Sequence, residues 1–435
     1  MKSQKVGIGL LGMGTVGGGV ASLLQINEES IQEKAGAELQ LKKILVRDSA
    51  KSRRVELPAA LFTSEVTDIL ENPEIDLIVE LMGGIEPARQ YLEKALKNGK
   101  YVVTANKDLM ARYGTDLLEL ARQSGGAIFF EGSVGGGIPL VRPLKHCLAA
   151  NRIDRIMGII NGTTNYILSR MSLEGIEFQD ALLEAQEKGF AEADSSNDLE
   201  GWDAAYKLVV LSRLAFGNSA GMEDVYVRGI NNVTAQDLMH ARQLGYTIKL
   251  LAVGERVDGF ISLRVFPALL PLKHPLASVY NEFNALFVEG NAVGEVMFYG
   301  KGAGAMPTAS AVVSDIIDAS RCLSYEIEDG LMEVPLKDVP IISGEKMVSS
   351  FYLRLQAEDR PGVFAALANA FGDEDVSLDM ILQDRSEKGV AEIVLVTHDV
   401  REANYFRALE NIKEMPSIRQ INGVFRVIGK NKESL

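Results

Sequence analysis

The acidic segment at residues 189–207, GFAEADSSNDLEGWDAAYK, carries five carboxylates and ends on a lysine. From Gly201 onward it has a helical pattern, so Asp203 and Lys207, four residues apart, share one helix face. The acid can then orient the amine, which is an arrangement that general acid–base chemistry uses. An ordinary surface ion pair is the alternative interpretation of this spacing.

A second lysine, Lys107, follows the apolar stretch KYVVTAN at residues 100–106. The stretch is typical of a strand, so Thr104 and Lys107 are predicted at the carboxyl end of a sheet, where doubly wound folds bind their ligands. A solvated lysine at a strand end is the alternative interpretation.

A glycine-rich turn, GMGTVG at residues 12–17, comes directly after the apolar stretch 6–11. In this GxGxxG pattern the glycines permit a tight turn, close approach to a pyrophosphate, and close packing of helix on strand. Glycine turns without a ligand also match the pattern, so its context decides. The candidate dinucleotide contacts are Gly12, Gly14, Thr15, Val16 and Gly17.

Further apolar stretches follow that turn, with helical patterns between them, at residues 41–47, 75–83, 100–106 and 126–132. Alternating short strands and helices indicate a parallel, doubly wound sheet. We therefore predict a Rossmann-type α/β domain at residues 1–134.

The tip of the second predicted strand carries Arg47 and Asp48, with Lys51, Arg53 and Arg54 beyond them. NAD enzymes usually place a carboxylate at this position for the ribose 2′-hydroxyl, whereas NADP enzymes place a cation there. Arg47 favours NADP, and Asp48 leaves NAD open. A solvated basic turn is the third interpretation.

The pattern changes to interleaved strands and helices at residues 135–299, which predicts an α+β substrate and dimerisation domain. Its predicted strands are at residues 153–160, 248–253, 260–266, 285–288 and 295–298. At 300–320 a glycine turn leads into a helix, and such a turn lets the backbone approach a ligand closely. We expect residues 300–325 to complete the first domain, with Gly302 at the cofactor.

The last part of the chain has a linker, residues 326–348, and a β-α-β-β-α-β pattern at residues 349–435. This pattern is typical of a ferredoxin-like module. Its first turn, DRPGV at residues 359–363, places free backbone N–H groups at a helix start, where a carboxylate can bind.

Composition excludes several classes of protein. A net charge of −14 over 435 residues argues against non-specific binding of nucleic acid, and only two cysteines fit a reducing compartment. The uncharged stretch 6–24 has the length of a secretory signal, but seven of its nineteen residues are glycine. We expect a cytoplasmic protein without a membrane segment and, from the scattered histidines, without a transition metal.

Several motifs in this order resemble homoserine dehydrogenases over residues 5–320: GLLGMGTVGGGV, TANKDL, EGSVGGGIPL, GIINGTTNYIL and FAEADSSNDLEGWDAAYKL. The terminal module resembles an ACT domain. The resemblance implies interconversion of L-homoserine and L-aspartate 4-semialdehyde with NAD(P) in threonine, methionine and isoleucine biosynthesis. It also implies a homodimer or homotetramer and feedback inhibition, with threonine as the expected effector of the ACT domain.

Homoserine is a zwitterionic amino acid, so its site needs a carboxylate for the ammonium group and a proton carrier at the hydroxyl. The resemblance assigns these roles to Glu192 and Lys207, and places Lys107 between cofactor and substrate. Which lysine transfers the proton stays open in the sequence; we favour Lys207. Asp198 in the preceding loop is a further candidate for binding substrate.

The stretch NGTTN at residues 161–165 adds Asn161 and Thr163 as substrate contacts, because capping of a helix explains only one or two of its polar residues. In the same family a proline commonly stands where this chain has Ser195, so the loop after Asp194 is expected to be less rigid.

The loop EGSVGGGIP at residues 131–139 has glycines that can turn backbone carbonyls inward, as hard cations require. The resemblance implies a structural Na+ in this loop, and a flexible domain hinge is compatible with the ion. The residues to which it assigns the ion are Glu131, Val134, Gly136 and Ile138.

Two other functions stay open in the sequence. A Rossmann domain fused to an ACT module could be a sensor without catalysis, although a sensor has no reason to pair Glu192 with Lys207. An enzyme acting on another amino alcohol is the second alternative.

Overall fold

The computed structural model of the chain describes residues 4–49, 51, 55–325, 339–342, 344–385 and 389–429. These residues belong to two compact units. The first unit lies within residues 1–156, 206–224 and 284–338, and the second within residues 157–205, 225–283 and 339–435. Most of the predicted linker (326–338 and 343) and the predicted cations Arg53 and Arg54 lie outside the described residues.

The strands are numbered in chain order. They are β1 Gln4–Leu11, β2 Ala37–Leu45, β3 Phe62–Thr63, β4 Leu77–Glu80, β5 Tyr101–Thr104, β6 Ile128–Phe129, β7 Ile153–Ile159, β8 Val225–Val227, β9 Tyr246–Val257, β10 Phe260–Pro271, β11 Phe283–Gly290, β12 Gly294–Lys301, β13 Val348–Glu358, β14 Leu378–Arg385, β15 Val390–Thr397, β16 Val400–Arg401 and β17 Ile418–Val427.

The helices are numbered in the same way. They are α1 Thr15–Ile26, α2 Glu28–Ala35, α3 Thr67–Leu70, α4 Ala88–Lys97, α5 Lys107–Ser124, α6 Gly162–Glu174, α7 Phe178–Glu187, α8 Ser196–Leu199, α9 Trp202–Phe216, α10 Ala235–Gln243, α11 Ala305–Tyr325, α12 Val363–Gly372 and α13 Glu402–Lys413.

The first unit contains a parallel sheet with the strand order β3-β2-β1-β4-β5-β6. The order reverses between β1 and β4, so the connections leave these two strands in opposite directions. That reversal opens a crevice at the carboxyl ends of the strands, where doubly wound folds bind ligands. The predicted Rossmann-type fold is confirmed.

The second strand of this sheet differs from its predicted range. β2 runs from Ala37 to Leu45 rather than over 41–47. Its first half carries polar side chains that an apolar pattern does not mark, and it ends before Arg47. Arg47 therefore lies in the bend beyond the strand.

Helix α11 lies against the same sheet. Ala309, Val312 and Ile316 of this helix share a hydrophobic core with Ile8 of β1 and Leu77 of β4. The helix that follows the predicted glycine turn therefore completes the core of the first sheet, although more than 170 residues separate it from β6 along the chain.

In the second unit, β9 and β10 form a long antiparallel hairpin. Asp258 and Gly259 form its two-residue turn, with φ angles of 50° and 86°. Positive φ at both positions gives the turn a twist that matches the twist of the paired strands.

The C-terminal module of the second unit has the strand order β17-β13-β15-β14, and its strands are antiparallel. With α12 and α13 this is the predicted ferredoxin-like fold. Strand β17 also pairs in parallel with β10 through Ala268 and Leu269, so the sheet of the module continues into the preceding domain.

The stretch 6–24 that has the length of a secretory signal forms the central strand β1 and most of helix α1. In the described part of the chain, every helix is too short or too polar to cross a bilayer.

One lysine of the second unit, Lys249 on β9, is almost fully buried. Its Nζ donates to the Asn165 side-chain oxygen at 3.0 Å and to the Val279 carbonyl oxygen at 2.6 Å, and so it ties α6 to β9. Burial removes water from the ammonium group and lowers the pKa of Lys249 from 10.5 to about 7.

We predict that Lys249→Met flattens the dependence of stability on pH. Above about pH 7 the folded protein has released the Lys249 proton, whereas the unfolded chain retains it up to about pH 10.5. The unfolded state then binds one proton more, so the free energy of unfolding rises with pH across this interval, by about 3 kcal/mol between pH 7 and 9.5. Thermal melts of both proteins from pH 6 to 9.5 measure the difference.

Lys97→Met, which removes a lysine with a 63% exposed side chain, is the control. A Lys249→Met variant with the pH slope of the wild-type protein would contradict the prediction.

Candidate active site

A cleft of about 1360 Å³ opens in the first unit at the carboxyl ends of β1 and β2. A dinucleotide needs a space of this size with backbone amides at one end. The cleft is lined by Gly12, Met13, Gly14, Thr15, Gly18, Gly19, Ser22, Leu45, Val46, Arg47, Asp48, Lys51, Val55, Ser64, Leu81, Met82, Pro87, Tyr91, Ala305 and Met306.

Glycines give the cleft its floor. Gly12 has φ +100°, and a Cβ there would lie 2.9 Å from the Leu81 carbonyl oxygen. A Cβ at Gly17 would overlap the Gly12 carbonyl oxygen, so helix α1 can pack this closely only with glycine at that position. The first residues of α1, beginning at Thr15, thus point free N–H groups toward the cleft, which suits an anionic phosphate.

Arg47, the cation predicted at the tip of the second strand, lines this cleft. Arg47, Asp48 and Lys51 line it together with Ser64, which follows β3. The cleft is therefore lined both by Arg47, the candidate contact for a 2′-phosphate, and by Asp48, the candidate contact for a free ribose 2′-hydroxyl.

Sequence reasoning missed a buried hydrogen-bond cluster at the ends of β4 and β5. The Glu80 carboxylate accepts from the Thr104 hydroxyl at 2.6 Å and from the main-chain N–H of Met82 at 2.8 Å. Burial raises the pKa of Glu80. Thr104 in turn accepts from the Asn106 N–H, and the Asn106 side chain caps α5 by accepting from the Leu109 N–H.

This cluster positions Lys107, because α5 begins at that residue directly after its cap Asn106. It also fixes the loop after β4, because Asn106 donates to the Gly84 carbonyl oxygen. A single acid at the end of an otherwise apolar strand, Glu80 in IDLIVEL, was the available sequence signal. Thr104 and Lys107 contribute to the edge of the sheet as predicted, outside the residues that line the cleft.

The glycine loop 131–138 is almost entirely buried. The Glu131 carboxylate accepts from three successive main-chain N–H groups, those of Leu140, Val141 and Arg142, at 2.6–2.9 Å. The Glu131 N–H donates to Asp315 on α11 at 2.8 Å. The side chain of Glu131 is therefore committed to the protein, and only its main-chain oxygen is available to a cation.

The main chain of this loop fits a small hard cation. Gly135 and Gly136 have φ angles of 73° and 55°. Among the described residues, the turn and loop hydrogen bonds here use the carbonyl oxygens of Phe130 and Gly135. None of them uses the carbonyl oxygens of the four predicted ligands, Glu131, Val134, Gly136 and Ile138.

Gly302 lies against this loop. A Cβ on Gly302 would overlap the Asn284 side chain, and a Cβ on Gly136 would overlap the Gly302 carbonyl oxygen. The cleft itself is lined by Ala305 and Met306, at the start of α11. The structure thus places Gly302 between the glycine loop and the helix that reaches the cleft.

The second unit brings together four predicted polar residues. The Asn161 amide donates to the carboxylates of Asp198 at 2.7 Å and Asp203 at 2.8 Å. Thr163 donates to Asp198 at 3.2 Å and to the Phe190 carbonyl oxygen at 2.7 Å. Asn161, Thr163 and Asp203 are buried, and Asn161 also caps α6. Two carboxylates held around one amide form an acidic, ordered cluster.

Glu192 lies in the same acidic segment and is exposed. Its main-chain oxygen accepts from Gln186, and no hydrogen bond of the described residues joins its side chain to the Asn161 cluster. Ser195 is buried, and its carbonyl oxygen accepts from the N–H groups of Asp198 and Leu199 at the start of α8. The serine that replaces the family's proline thus lies at an ordered turn.

Helix α9 carries Asp203 in its first turn and Lys207 four residues later. The predicted helix is confirmed, and residues at this spacing lie on one face. Lys107 and Lys207 are both half-buried; Lys107 begins α5, whereas Lys207 is the sixth residue of α9.

Protein-family models match the chain over most of its length. The NAD binding domain of homoserine dehydrogenase matches residues 12–131, the homoserine dehydrogenase model matches residues 139–317, and the ACT domain matches residues 351–417.

Individual relatives match most of the chain or nearly all of it. Homoserine dehydrogenase of Bacillus subtilis is 42% identical over 428 residues, which cover 98% of this chain and 99% of the relative. The crystal structure of a homoserine dehydrogenase from Thiobacillus denitrificans has a TM-score of 0.92 and 41% identity, and the match covers 98% of both chains. A hyperthermophilic archaeal homoserine dehydrogenase in complex with NADPH has a TM-score of 0.61 and 29% identity, over 73% of this chain and 98% of the other.

The resemblance stated from the sequence motifs is therefore confirmed by matches that span the chain from the glycine turn to the terminal module. The chain belongs to the homoserine dehydrogenase family, and it is an NAD(P)-dependent oxidoreductase with a C-terminal ACT domain.

Proposed function

We propose that Lys207 exchanges the proton of the homoserine hydroxyl and that Asp203 orients its amine. The observation that carries this proposal is the position of both residues on one face of α9, with Asp203 buried and held by Asn161. A fixed carboxylate one turn away limits where the amine can reach, which is what general acid–base catalysis requires. When bound, NAD(P)+ supplies the acceptor for the hydride.

Lys107 holds the same oxygen from the cofactor side in this proposal. Its support is the capped start of α5 at the carboxyl edge of the sheet, beside the loop that lines the cleft. Asn161, Thr163 and Asp198 bind the amino-acid end of the substrate together with Glu192, whose exposed carboxylate can pair with an ammonium group.

NADP is the proposed cofactor, with NAD as the second candidate. Arg47 at the rim of the cleft suits a 2′-phosphate because a guanidinium binds phosphate oxygens with two parallel hydrogen bonds. The archaeal relative that binds NADPH supports this preference.

A structural Na+ is proposed for the glycine loop. Main-chain oxygens of Glu131, Val134, Gly136 and Ile138 would hold it, and the ion would fix the loop against α11. The chemistry of these donors suits a hard cation without a strong demand on geometry.

In this proposal the protein is cytoplasmic, assembles as a homodimer or homotetramer, and acts in the synthesis of threonine, methionine and isoleucine. Neither Cys147 nor Cys322 forms a disulfide, which suits a reducing compartment. Strand β12 lies at the end of its sheet and exposes Met297 and Tyr299, a surface that suits a second copy of the chain.

Feedback inhibition by threonine requires that the ACT module be coupled to the rest of the second unit. A buried ion cluster supplies a contact for that coupling. Arg354 on β13 bonds Asp237 at 2.6 Å and Glu392 at 3.0 Å, and it also donates to Thr234, the cap of α10. His240 of α10 lies 3.2 Å from Glu392.

A second buried ion cluster lies where β10 of the preceding domain pairs with β17 of the module. Glu402 at the start of α13 accepts two hydrogen bonds from Arg426 on β17, at 2.6 and 2.8 Å, and one from Arg264 on β10 at 3.1 Å. Removing the whole module would take Glu402 from Arg264 and Arg354 from Asp237, and would expose to water the surface that the module covers. A substitution inside the full chain therefore tests regulation more cleanly than a truncation.

We predict that Lys207→Ala lowers kcat for homoserine oxidation at least about 100-fold, because a positioned proton carrier contributes 10²–10⁴-fold. KM for NADP+ is expected to stay within about twofold, since Lys207 does not line the cleft. Absorbance at 340 nm follows both directions of the reaction. Lys97→Ala, an exposed lysine of α4, is the control, and unchanged turnover of Lys207→Ala would exclude this role.

We predict that Arg47→Ser raises KM for NADP+ about tenfold and leaves KM for NAD+ within about twofold, because only NADP+ carries the phosphate that pairs with the guanidinium. The matched control is Arg122→Ser, which removes a 61% exposed arginine of the same unit. If Arg47→Ser changes neither constant while Asp48→Ala raises KM for NAD+, the enzyme prefers NAD instead.

We predict that Arg354→Lys raises the threonine concentration for half-inhibition at least about fivefold, with turnover in the absence of threonine near that of the wild type. Lysine keeps the charge but cannot bond Asp237, Glu392 and Thr234 together, so the module and α10 lose their fixed contact. Arg407→Lys, in an exposed ion pair of α13, is the control. Wild-type inhibition of Arg354→Lys would disprove the coupling, and a wild-type enzyme that threonine does not inhibit would disprove the regulation itself.

A further inference from the structure

Arg213 on α9 contacts a different helix from its own. Its Nη1 donates to the Met110 carbonyl oxygen at 2.8 Å, and its Nη2 donates to the Ala111 carbonyl oxygen at 2.7 Å. Nη2 also donates to the Ala220 carbonyl oxygen at 3.1 Å, in the turn after α9. One guanidinium thus joins α9, α5 and the turn that follows α9, all within the first unit.

The partners of this guanidinium are unusual. Its hydrogen bonds in the described structure all go to main-chain oxygens, its Nε is buried without a partner, and Asp116 and Glu223 act on it only through their charge. Burial lowers the pKa of Arg213 from its ordinary value. An arginine placed for stability alone would usually pair with a carboxylate, since partly buried charges without one are costly.

The two helices that Arg213 joins are those that carry the two lysines of the site. Met110 lies three residues after Lys107, about 4.5 Å along α5, and Arg213 lies six residues after Lys207, about 9 Å along α9. A rigid, planar fork at this position sets both the spacing and the rotation of the helices. A change of about 1 Å between catalytic groups is enough to reduce turnover strongly.

Gly114 makes room for this contact. A Cβ at Gly114 would lie 3.2 Å from Arg213 Nη1 and 3.2 Å from the Met110 Cε. Glycine in the middle of a helix costs about 1 kcal/mol relative to alanine, so its presence in α5 needs a reason of this kind. A second contact, from Arg112 of α5 to the Tyr206 hydroxyl of α9 at 2.6 Å, joins the same two helices.

We propose that Arg213 is a positioning residue that holds Lys107 and Lys207 at the distance at which both reach one substrate oxygen. The proposal rests on the proposed roles of those two lysines. It assigns no chemical step to Arg213, which acts through the two helices.

A double-mutant cycle tests the proposal on the full-length enzyme. We compare wild type, Arg213→Lys, Lys207→Ala and the double variant by homoserine oxidation, with high enzyme concentrations for the slow variants. Arg213→Lys is expected to lower kcat about 10- to 100-fold in the wild-type background, with KM for NADP+ within about twofold. In the Lys207→Ala background the same change is expected to cost less than about threefold, because the group that it positions is gone.

An equal loss in both backgrounds would show that Arg213 has a general structural role and would overturn the proposal, as would unchanged kcat of Arg213→Lys. Full activity of Lys207→Ala alone would instead refute the proposed proton carrier. The two failures are therefore distinguishable.

Gly114→Ala provides the test if Arg213→Lys does not fold. Its melting temperature is expected to stay near that of the wild type, because the preference of alanine for the helix offsets the weakened bonds of the guanidinium, while kcat falls at least about threefold as the guanidinium is displaced. Gly372→Ala in α12, where a Cβ would meet nothing within 4 Å, is the control. A Gly114→Ala enzyme with wild-type kcat would overturn the proposal.

Discussion

A carboxylate can be buried only where hydrogen-bond donors surround it, and this constraint organises each part of the candidate site. The Glu80 carboxylate accepts hydrogen bonds from the loop after β4 and from Thr104, and so fixes the edge of the parallel sheet. The Glu131 carboxylate accepts hydrogen bonds from three successive main-chain N–H groups and so closes the glycine loop. The Asp203 carboxylate accepts a hydrogen bond from the side chain of Asn161, the cap of α6. Each acid orders a segment of main chain, and the flexible glycine sequences around them therefore have definite conformations.

The same constraint explains how the ACT module is attached. Ion pairs such as Arg354–Asp237 and Arg264–Glu402, which join the module to the preceding domain, are buried, so their net contribution to stability is small, but breaking one leaves an uncompensated charge. They therefore favour one docking geometry over others. Strand pairing between β10 and β17 alone would permit a shift in register, whereas these buried ion pairs oppose such a shift. Under the proposed regulation, these contacts would carry a change in the shape of the module to α10 and β10.

The sequence predicts those parts of the fold that depend on patterns among residues close together along the chain. The glycines at 12 and 17, the apolar strands of the first sheet and the βαββαβ order of the module all follow from neighbours along the chain. The end of β2 and the partners of Glu80 do not, because a polar strand half has no apolar period and a buried acid is recognised only by its distant donors. Arg213 was missed for the same reason: its three partners are up to 103 residues away, and a lone arginine in an apolar helix has no pattern.

Lys107 breaks a local rule of helix structure, which is a feature expected of residues at functional positions. The first turn of a helix carries the positive end of its dipole, so a lysine there is unfavourable by several tenths of a kcal/mol, and an acid would be preferred. The chain nevertheless begins α5 with Lys107 and caps it with Asn106, which Glu80 and Thr104 hold in place. A lysine that served only as a solvated surface residue would interact less unfavourably with the helix dipole one turn later. Its place at the start of the helix, at the carboxyl edge of a parallel sheet, makes sense if the ammonium group must face a ligand there, and such conflicts between local preference and structure are expected at active sites.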